Sequence, residues 1–247
     1  MEKQIVLFQD MGRVDYKTAW DYQDVLMREN VAVKMGVGSR PLANNVTTDN
    51  RQASTTNYLL FVEHPPVYTI GKSGKMENIL ITEEQRKEKG IDFYQTNRGG
   101  DITFHGPGQI VGYPILDLEK FYTDIGRYLR ELEEVIILTL SQFGIKGGRS
   151  AGETGVWIDA DIKGKERKIC AMGVRCSRWV TMHGFALNVN TDLSYFDGII
   201  PCGIQNKKVT SISEELAMDI NTEEVKEKLK QAFGKVFHVE LTERQEN

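Results

Sequence analysis

A glycine-rich stretch, RGGDITFHGPGQ at residues 98–109, has the composition of a loop that brings its main chain close to a ligand. Four of its twelve residues are glycines, and Gly99 and Gly100 would let main-chain N–H groups approach a bound group. Arg98 carries a rigid fork of donors that suits a carbonyl, a carboxylate or a phosphate. His105 could form a hydrogen-bonding wall or act as a general base. The alternative is a tight turn whose glycines only supply positive φ angles.

Two common phosphate-binding motifs do not match this stretch. A P-loop requires GxxxxGK followed by Ser or Thr, and no such pair follows these glycines at that spacing. A dinucleotide-binding GxGxxG lies between a strand and a helix, whereas the residues after Gly108 read as a strand. The stretch therefore predicts a ligand loop of another kind.

The chain contains three cysteines, Cys170, Cys176 and Cys202. This odd, small number predicts reduced thiols rather than a disulfide framework, so one of them can serve as a nucleophile. Cys170 lies among apolar strand residues, where a cysteine is usually a buried small hydrophobe. In a regular strand it shares a face with Lys168, which keeps it a candidate on local grounds. Cys202 stands between a proline and a glycine, in a turn that would expose its thiol.

The histidines do not form a metal-binding pattern. None of His64, His105 and His183 has a partner at the spacing of an HxxxH or CxxC motif, so we expect no metal. For His105 and His183, a packed histidine with satisfied hydrogen bonds is an equal alternative to a ligand-contacting one. His238 falls in the last predicted strand and is expected to be structural.

Composition and charge exclude several classes of protein. With 31 basic and 35 acidic residues the formal net charge is −4, which provides no basic surface for nucleic acid. No apolar run approaches the ~20 residues that cross a bilayer, so no membrane association is expected. The N-terminal residues lack the layout of a secretory signal, and we expect a cytoplasmic protein.

Hydrophobic periodicity predicts three helices. The first follows Asp15, which precedes apolar residues at spacings near three and four. The clearest helix runs over residues 124–143 with an apolar stripe along one side. A closing helix is expected between a cap at Thr222 and an end at Gly234.

Short apolar runs predict strands between and around these helices. The run at residues 58–71 is interrupted by Pro65 and Pro66, so it predicts two strand pieces hinged there. A hairpin around Gly164 joins two further strands. The predicted strands lie at residues 5–8, 58–71, 113–118, 155–158, 168–176, 182–190 and 235–241.

The order of these elements predicts an α+β fold. Strands outnumber helices and arrive in hairpins, which indicates a mixed, largely antiparallel β-sheet flanked by helices. The 247 residues show no internal repeat and no domain break, so residues 1–247 are expected to form a single domain. The segment 34–57 is polar, aperiodic and long for a connection, which predicts a flexible insertion or a solvated surface loop.

Several motifs, in this order along the chain, resemble those of one enzyme family. DMGRVDYKTAWDYQ, EHPPVYTIG, RGGDITFHGPGQIVGYPILDL, KICAMGVR, HGFALNVN and IIPCG are similar to the octanoyltransferases of lipoate biosynthesis, also called the lipoate–protein ligase B family. The resemblance spans about residues 9–203. It implies the catalytic-core fold of biotin and lipoate protein ligases.

The resemblance also implies roles for individual residues. Cys202 matches the family's nucleophile, with Cys170 and Cys176 left as structural cysteines. Lys168 matches the acid/base partner, although the residues alone would predict a solvated hairpin lysine. His183 and His64 are candidate supporting residues. The implied substrate-binding residues are Arg98, Gly99, Gly100, Asp101, Ile102, Thr103, Phe104, His105, Ala171, Met172, Gly173, Gly184, Phe185 and Ala186.

The implied reaction moves an octanoyl group from octanoyl-acyl carrier protein to a lysine ε-amino group, through a cysteine thioester. The implied acceptors are lipoyl domains of 2-oxoacid dehydrogenase E2 subunits and the glycine cleavage H protein. Exchange between thioesters needs no ATP, and neither ATP nor a metal is expected. We expect the chain to act as a monomer.

Three alternatives remain at the level of the sequence. An ATP-dependent lipoate or biotin ligase on the same fold would form an acyl-adenylate and would not need Cys202. A cysteine amidotransferase or hydrolase would pair Cys202 with His105 or His183 and use water as the acceptor. A non-catalytic module that binds an acyl group or a lipoyl domain would need neither Cys202 nor Lys168.

Overall fold

The structure, a computed structural model, describes residues 3–37, 54–200 and 208–244, which form two β-sheets with helices packed against them. The larger sheet contains β1 Gln4–Arg13, β2 Asn57–Glu63, β6 Gln109–Ile115, β7 Gly147–Gly148, β8 Val156–Ile158, β9 Arg167–Ser177, β10 Val180–Asn188, β11 Lys208–Val209 and β12 Val239–Glu243. The smaller sheet contains β3 Val67–Ile70, β4 Asp92–Gln95 and β5 Ile102–His105. The α-helices are α1 Tyr16–Lys34, α2 Glu83–Glu88, α3 Ile125–Ser141, α4 Ile212–Leu216 and α5 Thr222–Phe237. Within the described ranges, none of the helices is long and apolar enough to span a membrane.

The larger sheet combines parallel and antiparallel pairs. Its described strands follow the order β12–β1–β2–β6–β10–β9–β8–β7, with β11 paired to β9. β1 runs parallel to β12 and β2, and β11 runs parallel to β9, whereas the other neighbouring pairs are antiparallel. The predicted α+β class, with a mixed, largely antiparallel sheet flanked by helices, is confirmed.

Helices cover both faces of the larger sheet. On β2, Leu59 and Phe61 pack in a core with α3 and α5, while Leu60 and Val62 pack in a second core with α1. Successive side chains of a strand point to opposite faces. Because both faces are buried, β2 reads as a continuous apolar run rather than an alternating one.

The paired prolines carry the chain from the larger sheet into the smaller one. β2 ends at Glu63 and β3 begins at Val67, and the two strands belong to different sheets. Proline donates no ladder hydrogen bond and restricts the residue before it, so neither strand continues through Pro65 and Pro66. The prediction of two strand pieces hinged at this pair is confirmed.

Aspartates at the predicted starts of two helices act as their N-caps. The Asp15 side chain accepts a hydrogen bond from the Thr18 N–H at 2.9 Å, at the start of α1. The Asp124 side chain accepts one from the Arg127 N–H, also at 2.9 Å, at the start of α3. Each carboxylate satisfies a main-chain donor that the first turn leaves without a partner inside the helix.

The closing helix differs from its prediction at both ends. Asn221, not Thr222, is the N-cap, and the helix continues through Gly234 to Phe237. The last strand therefore occupies Val239–Glu243 rather than residues 235–241. The rings of Phe233 and Phe237 stack 4.5 Å apart in the core. Their packing outweighs the cost of about 1 kcal/mol for a glycine inside a helix.

The segment predicted as an insertion is anchored where its ends are described. Lys34 is the last residue of α1 and Asn57 is the first of β2. The Lys34 Nζ lies 2.5 Å from one oxygen of Asp117, and the Thr55 hydroxyl donates to the other oxygen at 2.8 Å. Residues 38–53 lie outside the described residues. Both described ends are thus held by the same buried carboxylate.

Candidate active site

A cavity of about 610 Å³ lies between the central strands of the larger sheet and the loop that leads into β5. Its walls include residues of β6, β9 and β10, and the first turns of α3. Thirteen of the fourteen predicted substrate-binding residues line it, and Phe104 does not. The structure therefore brings three segments that are far apart in the sequence, 98–105, 171–173 and 184–186, into one site.

Phe104 belongs to the core of the smaller sheet. Its ring stacks on Tyr195 at 4.7 Å and meets Phe196 edge-on at 5.5 Å. Its neighbours Thr103 and His105 line the cavity, because alternate residues of β5 face opposite sides. Phe104 therefore supports the cavity wall from behind.

Arg98 stabilises the loop that carries it. The side chain is buried, and its guanidinium donates to the Gly99 carbonyl at 3.1 Å and to the Thr69 carbonyl at 2.6 Å. It also donates to the Thr69 hydroxyl at 3.0 Å. The sequence predicts a donor fork aimed at a ligand. Arg98 lines the cavity, and the hydrogen bonds to Thr69 also join the loop to β3.

Glycines allow this loop to approach β9 closely. The Gly99 N–H donates to the Val174 carbonyl at 2.9 Å. A Cβ at Gly173 would lie 2.6 Å from the Gly99 carbonyl oxygen, closer than real Cβ atoms come. Gly100 adopts a φ of 85°, a conformation that favours glycine. The glycines in these motifs therefore allow close packing of the loop on β9, in addition to the ligand binding expected from the sequence.

His105 forms a hydrogen-bonded wall of the cavity. Its Nδ1 lies 2.9 Å from Gln109 Oε1, and its Nε2 lies 3.2 Å from the Thr69 hydroxyl. The ring stacks on Tyr16 at 5.7 Å. Burial keeps the pKa of His105 well below its usual 6.5. With both ring nitrogens in hydrogen-bond contact and its basicity lowered by burial, His105 has the geometry of a hydrogen-bonding wall.

His64 lies behind His105 and does not line the cavity. Its Nδ1 donates to the Val14 carbonyl at 2.7 Å, so its Nε2 accepts from the Tyr113 hydroxyl at 2.8 Å. Burial lowers the pKa of His64 to about 4. The residue thus supports the site through packing, with its ring 5.9 Å from that of His105.

His183 lines the cavity in a conformation that is rare for its residue type. Its φ is 59°, within β10, and its main-chain N–H donates to Gln23 Oε1 at 2.9 Å. The ring Nε2 lies 2.8 Å from Asn97 Oδ1. Burial lowers the pKa of His183 to about 3, with a smaller contribution from the positive charge of Arg98. The imidazole is therefore neutral at physiological pH.

These histidines do not converge with other ligating side chains. Among the residues that the structure describes, no three His, Cys, Asp or Glu side chains form a cluster that could hold a metal ion.

Lys168 lines the cavity from the start of β9 and is largely buried. Its Nζ lies 4.6 Å from the centre of the Trp157 ring, within the range of a cation–π interaction. β9 has a bulge here, because Val156 pairs with Cys170 while Trp157 pairs with Lys168. The extra residue ends the regular alternation, so the shared face expected for Lys168 and Cys170 is not observed.

The two described cysteines do not fit the role of nucleophile. Cys170 is completely buried in the core, and burial raises the pKa of its thiol. Cys176 is partly buried near the β9–β10 turn and does not line the cavity. Burial also raises the pKa of Cys176. A thiol with a raised pKa is a weak nucleophile at neutral pH, since the thiolate is the reactive form.

Cys202 lies outside the described residues, and the described chain before and after this gap is held by main-chain hydrogen bonds. The Ile200 N–H donates to the Asn78 carbonyl at 2.8 Å. After the gap, β11 pairs in parallel with the start of β9, with Val209 opposite Lys168. The Thr210 N–H donates to the Lys168 carbonyl at 3.0 Å.

Several residues that line the cavity were not predicted from the sequence, among them Tyr16, Gln109 and Asn188. Tyr16 is the first residue of α1, Gln109 closes the glycine-rich stretch, and Asn188 ends β10. Gln109 and Asn188 are joined by a hydrogen bond of 2.9 Å across 79 residues of sequence. Both lie within recognisable motifs, but an uncharged amide at a strand end has no spacing that indicates such a partner.

Comparison with known proteins places the chain in a family. A family model, the lipoyl protein ligase A/B catalytic domain, matches residues 15–234. An octanoyltransferase from Christiangramia forsetii is 57% identical over 98% of this chain and 99% of that protein. Octanoyltransferases from Flavobacterium psychrophilum and Flavobacterium johnsoniae are 57% and 56% identical, over 96% and 98% of this chain and 98% and 100% of theirs.

Solved structures of lipoate ligases share the fold at low sequence identity. A bipartite lipoate protein ligase from Thermoplasma acidophilum has a TM-score of 0.65 and 18% identity, over 99% of this chain and 87% of that one. A lipoate-protein ligase A bound with ATP has a TM-score of 0.66 and 16% identity, over 99% of this chain and 89% of that one. The expected ligase catalytic-core fold is confirmed.

The family model covers most of the chain, and relatives more than half identical extend over nearly all of it. This chain therefore belongs to the octanoyltransferases of the lipoyl protein ligase A/B family, and it is an acyltransferase.

Proposed function

We propose that this acyltransferase moves an octanoyl group from octanoyl-acyl carrier protein to the ε-amino group of a lysine on lipoyl domains, in lipoate biosynthesis. The observation that carries the proposal is the convergence of the three predicted binding segments and Lys168 on one cavity. The curated relatives named octanoyltransferase support the same acyl group.

The cavity has the chemistry that a medium-length acyl chain requires. A chain of this kind buries best against apolar walls with a few polar groups that fix its head. Burying the seven carbons beyond the carbonyl would contribute roughly 5 kcal/mol at ~0.8 kcal/mol per methylene, enough to select chain length only coarsely. The apolar residues of the wall include Val111, Ile125, Leu129, Met172, Phe185 and Ala186.

The proposed reaction passes through an acyl-cysteine. The Cys202 thiolate attacks the carbonyl carbon of the octanoyl thioester, a new C–S bond forms, and the C–S bond to the carrier breaks. The carrier thiolate leaves and takes the proton that Lys168 had accepted from the Cys202 thiol. The acceptor lysine amine then attacks the acyl-cysteine, an amide bond forms, and the Cys202 sulfur leaves. The two thioesters are nearly equal in free energy and the amide is more stable, so the reaction requires no ATP.

The proposed role of Lys168 is to take the proton of the thiol and later that of the attacking amine. Its burial supports this role, because charges interact more strongly in a site of low effective dielectric than in water. An ammonium beside Cys202 would favour the thiolate, which is the reactive form. The anchoring of Thr210 to the Lys168 carbonyl supports the same arrangement.

The proposed acceptors are lipoyl domains of 2-oxoacid dehydrogenase E2 subunits and the glycine cleavage H protein. The proposed reaction uses neither a metal nor ATP.

An ATP-free transfer assay tests this function. The chain is mixed with octanoyl-acyl carrier protein and an unmodified E2 lipoyl domain, and the mass of the lipoyl domain is followed over time. We expect octanoylation with the parent chain and a rate lower by at least about 100-fold with Lys168→Ala, as for the loss of a general base. The exposed Lys165 provides the matched control. Lys165→Ala should transfer within about twofold of the parent rate, since surface substitutions are usually neutral.

Two results would contradict the proposed function. Octanoylation that occurs only from free octanoate with ATP would identify an adenylate-forming ligase. Transfer by Lys168→Ala at the parent rate would remove this lysine from the reaction.

A further inference from the structure

A chain of buried hydrogen bonds starts at Arg98 and leads away from the substrate loop. Arg98 donates to the Thr69 hydroxyl at 3.0 Å, and that hydroxyl lies 3.2 Å from His105 Nε2. On the other side of the ring, His105 Nδ1 lies 2.9 Å from Gln109 Oε1. All four side chains are buried.

This series of hydrogen bonds continues from Gln109 to Thr210, whose main chain contacts Lys168. Gln109 Nε2 lies 2.9 Å from Asn188 Oδ1, and Asn188 Nδ2 lies 2.9 Å from the Thr210 carbonyl oxygen. The Thr210 N–H in turn donates to the Lys168 carbonyl at 3.0 Å. Asn188 and Thr210 are also buried. We call the hydrogen bonds from Arg98 to Thr210 the buried relay.

The Thr210 end of the buried relay fixes the direction of its hydrogen bonds. The Thr210 carbonyl can only accept, so the Asn188 amide donates to it and the Asn188 oxygen accepts from Gln109. The Gln109 oxygen then accepts from His105 Nδ1, so Nε2 of the neutral imidazole accepts from the Thr69 hydroxyl. The Thr69 oxygen in turn accepts from Arg98, since a guanidinium can only donate.

The buried relay therefore connects the loop predicted to bind the acyl group with the main chain at Lys168. None of its amide groups can be lost without leaving a buried donor or acceptor unsatisfied, which makes the arrangement rigid. Within the described residues, Gln109 and Asn188 are the members that bridge the two regions.

We propose that Gln109 and Asn188 are positioning residues, which hold Lys168 and the substrate loop in the relative geometry that acyl transfer needs. This inference rests on the proposed function of Lys168. Under this proposal, Gln109 and Asn188 control the position of the Lys168 amine without contacting it.

Asn188→Asp tests the proposal with little change of shape. The carboxylate still accepts from Gln109 but no longer donates to the Thr210 carbonyl. We expect kcat for octanoyl transfer to fall about 10- to 100-fold with KM for the octanoyl carrier within about threefold, as when a misplaced catalytic group slows the reaction. Gln109→Glu is the second variant, since it loses the donor to Asn188, and the same loss of kcat is expected.

Asn190→Asp provides a control with the same chemistry. Asn190 accepts from the Ile220 N–H at 3.0 Å and donates to the Ile220 carbonyl at 2.8 Å. Its substitution removes one donor to a main-chain carbonyl, as Asn188→Asp does, two residues further along the same strand end. We expect kcat within about threefold of the parent value.

Amide hydrogen exchange supplies a readout that does not depend on the reaction. Exchange of the Thr210 N–H should become at least about tenfold faster in Asn188→Asp and stay within about threefold in Asn190→Asp, if the relay holds this strand against Lys168. Unchanged exchange at Thr210 in both relay variants would overturn the proposal. Faster exchange with an unchanged kcat would also overturn it, while leaving the proposed function intact. A parent chain that transfers no octanoyl group would overturn the proposed function and this inference together.

Discussion

At the scale of single residues, the histidines of the site act as neutral, packed groups. His64 and His105 carry the ring proton on Nδ1, and His183 carries it on Nε2, as their carbonyl, amide and hydroxyl partners require. Burial is the largest cause of the lowered pKa in all three. Their contribution is to build and support a rigid wall rather than to exchange protons.

This protonation state makes stability depend on pH. A histidine with a folded-state pKa below its unfolded value of about 6.5 binds more protons when unfolded, so stability is lost as pH falls below 6.5. The loss continues down to the folded-state values of about 4 for His64 and about 3 for His183. Between pH 7.5 and 5.5, His64 and His183 should each lower the free energy of unfolding by roughly 1 kcal/mol. His105 should act in the same direction.

Urea denaturation at pH 7.5 and 5.5 measures this difference. The range lies above the ordinary pKa of the carboxyl groups, so histidines dominate it. His64→Gln should reduce the difference by roughly 1 kcal/mol, since one titrating group is removed. Equal unfolding free energies of the parent at the two pH values would show that these imidazoles are not held neutral.

At the scale of elements, the substrate loop depends on its contact with β9. Gly173→Ala would place a Cβ 2.6 Å from the Gly99 carbonyl oxygen, which is part of the main chain and cannot rotate away. We expect the loop to be displaced and KM for octanoyl-acyl carrier protein to rise at least about tenfold, because the displaced loop would lose contacts with the acyl group. The midpoint of thermal unfolding should change by only a few degrees, since the loop lies at the edge of the core.

Gly148→Ala is the matched control for that prediction. Gly148 lies in β7 of the same sheet, and a Cβ there would meet its nearest neighbour, the Ala160 Cβ, at an ordinary 3.8 Å. Steady-state kinetics of both variants should show a raised KM in Gly173→Ala alone. An equal KM in the two variants would show that close packing of the loop on β9 does not control substrate binding.

Elements with a local cause were predictable from the sequence. Asp15 and Asp124 cap helices, and the prolines 65 and 66 separate two strands, because each acts on neighbouring main-chain groups. The end of α5 was not predictable, because Phe237 extends the helix past Gly234 through packing with residues distant in sequence. The bulge between Lys168 and Cys170 was missed for a similar reason, since it arises in pairing with β8.

The candidate site likewise contains parts that could be predicted from the sequence and parts that depend on contacts between distant residues. The motifs 98–105, 171–173 and 184–186 could be assigned to one site from their resemblance to a family, and they converge on one cavity. Gln109 and Asn188 could not be assigned, because their hydrogen bond depends on the register of β6 against β10. The hydrogen bonds from Arg98 to Thr69 could not be predicted from the sequence either, since they exist only when the loop lies against β3.

At the scale of the whole molecule, the fold does not decide the chemistry. This chain and a lipoate-protein ligase A bound with ATP share the fold with a TM-score of 0.66 at 16% identity. Related folds commonly support different reactions, which depend on the residues placed in the site. The central claim of the proposed mechanism is therefore that Cys202 carries the acyl group as a thioester.

Intact-protein mass spectrometry tests that claim most directly. The chain is mixed with octanoyl-acyl carrier protein without ATP and without an acceptor, alongside Cys202→Ala and, as a control, Cys176→Ala. We predict a mass gain of one octanoyl group on the parent and on Cys176→Ala, and none on Cys202→Ala. An adduct that persists on Cys202→Ala, or no adduct on the parent at any time point, would contradict the acyl-cysteine mechanism.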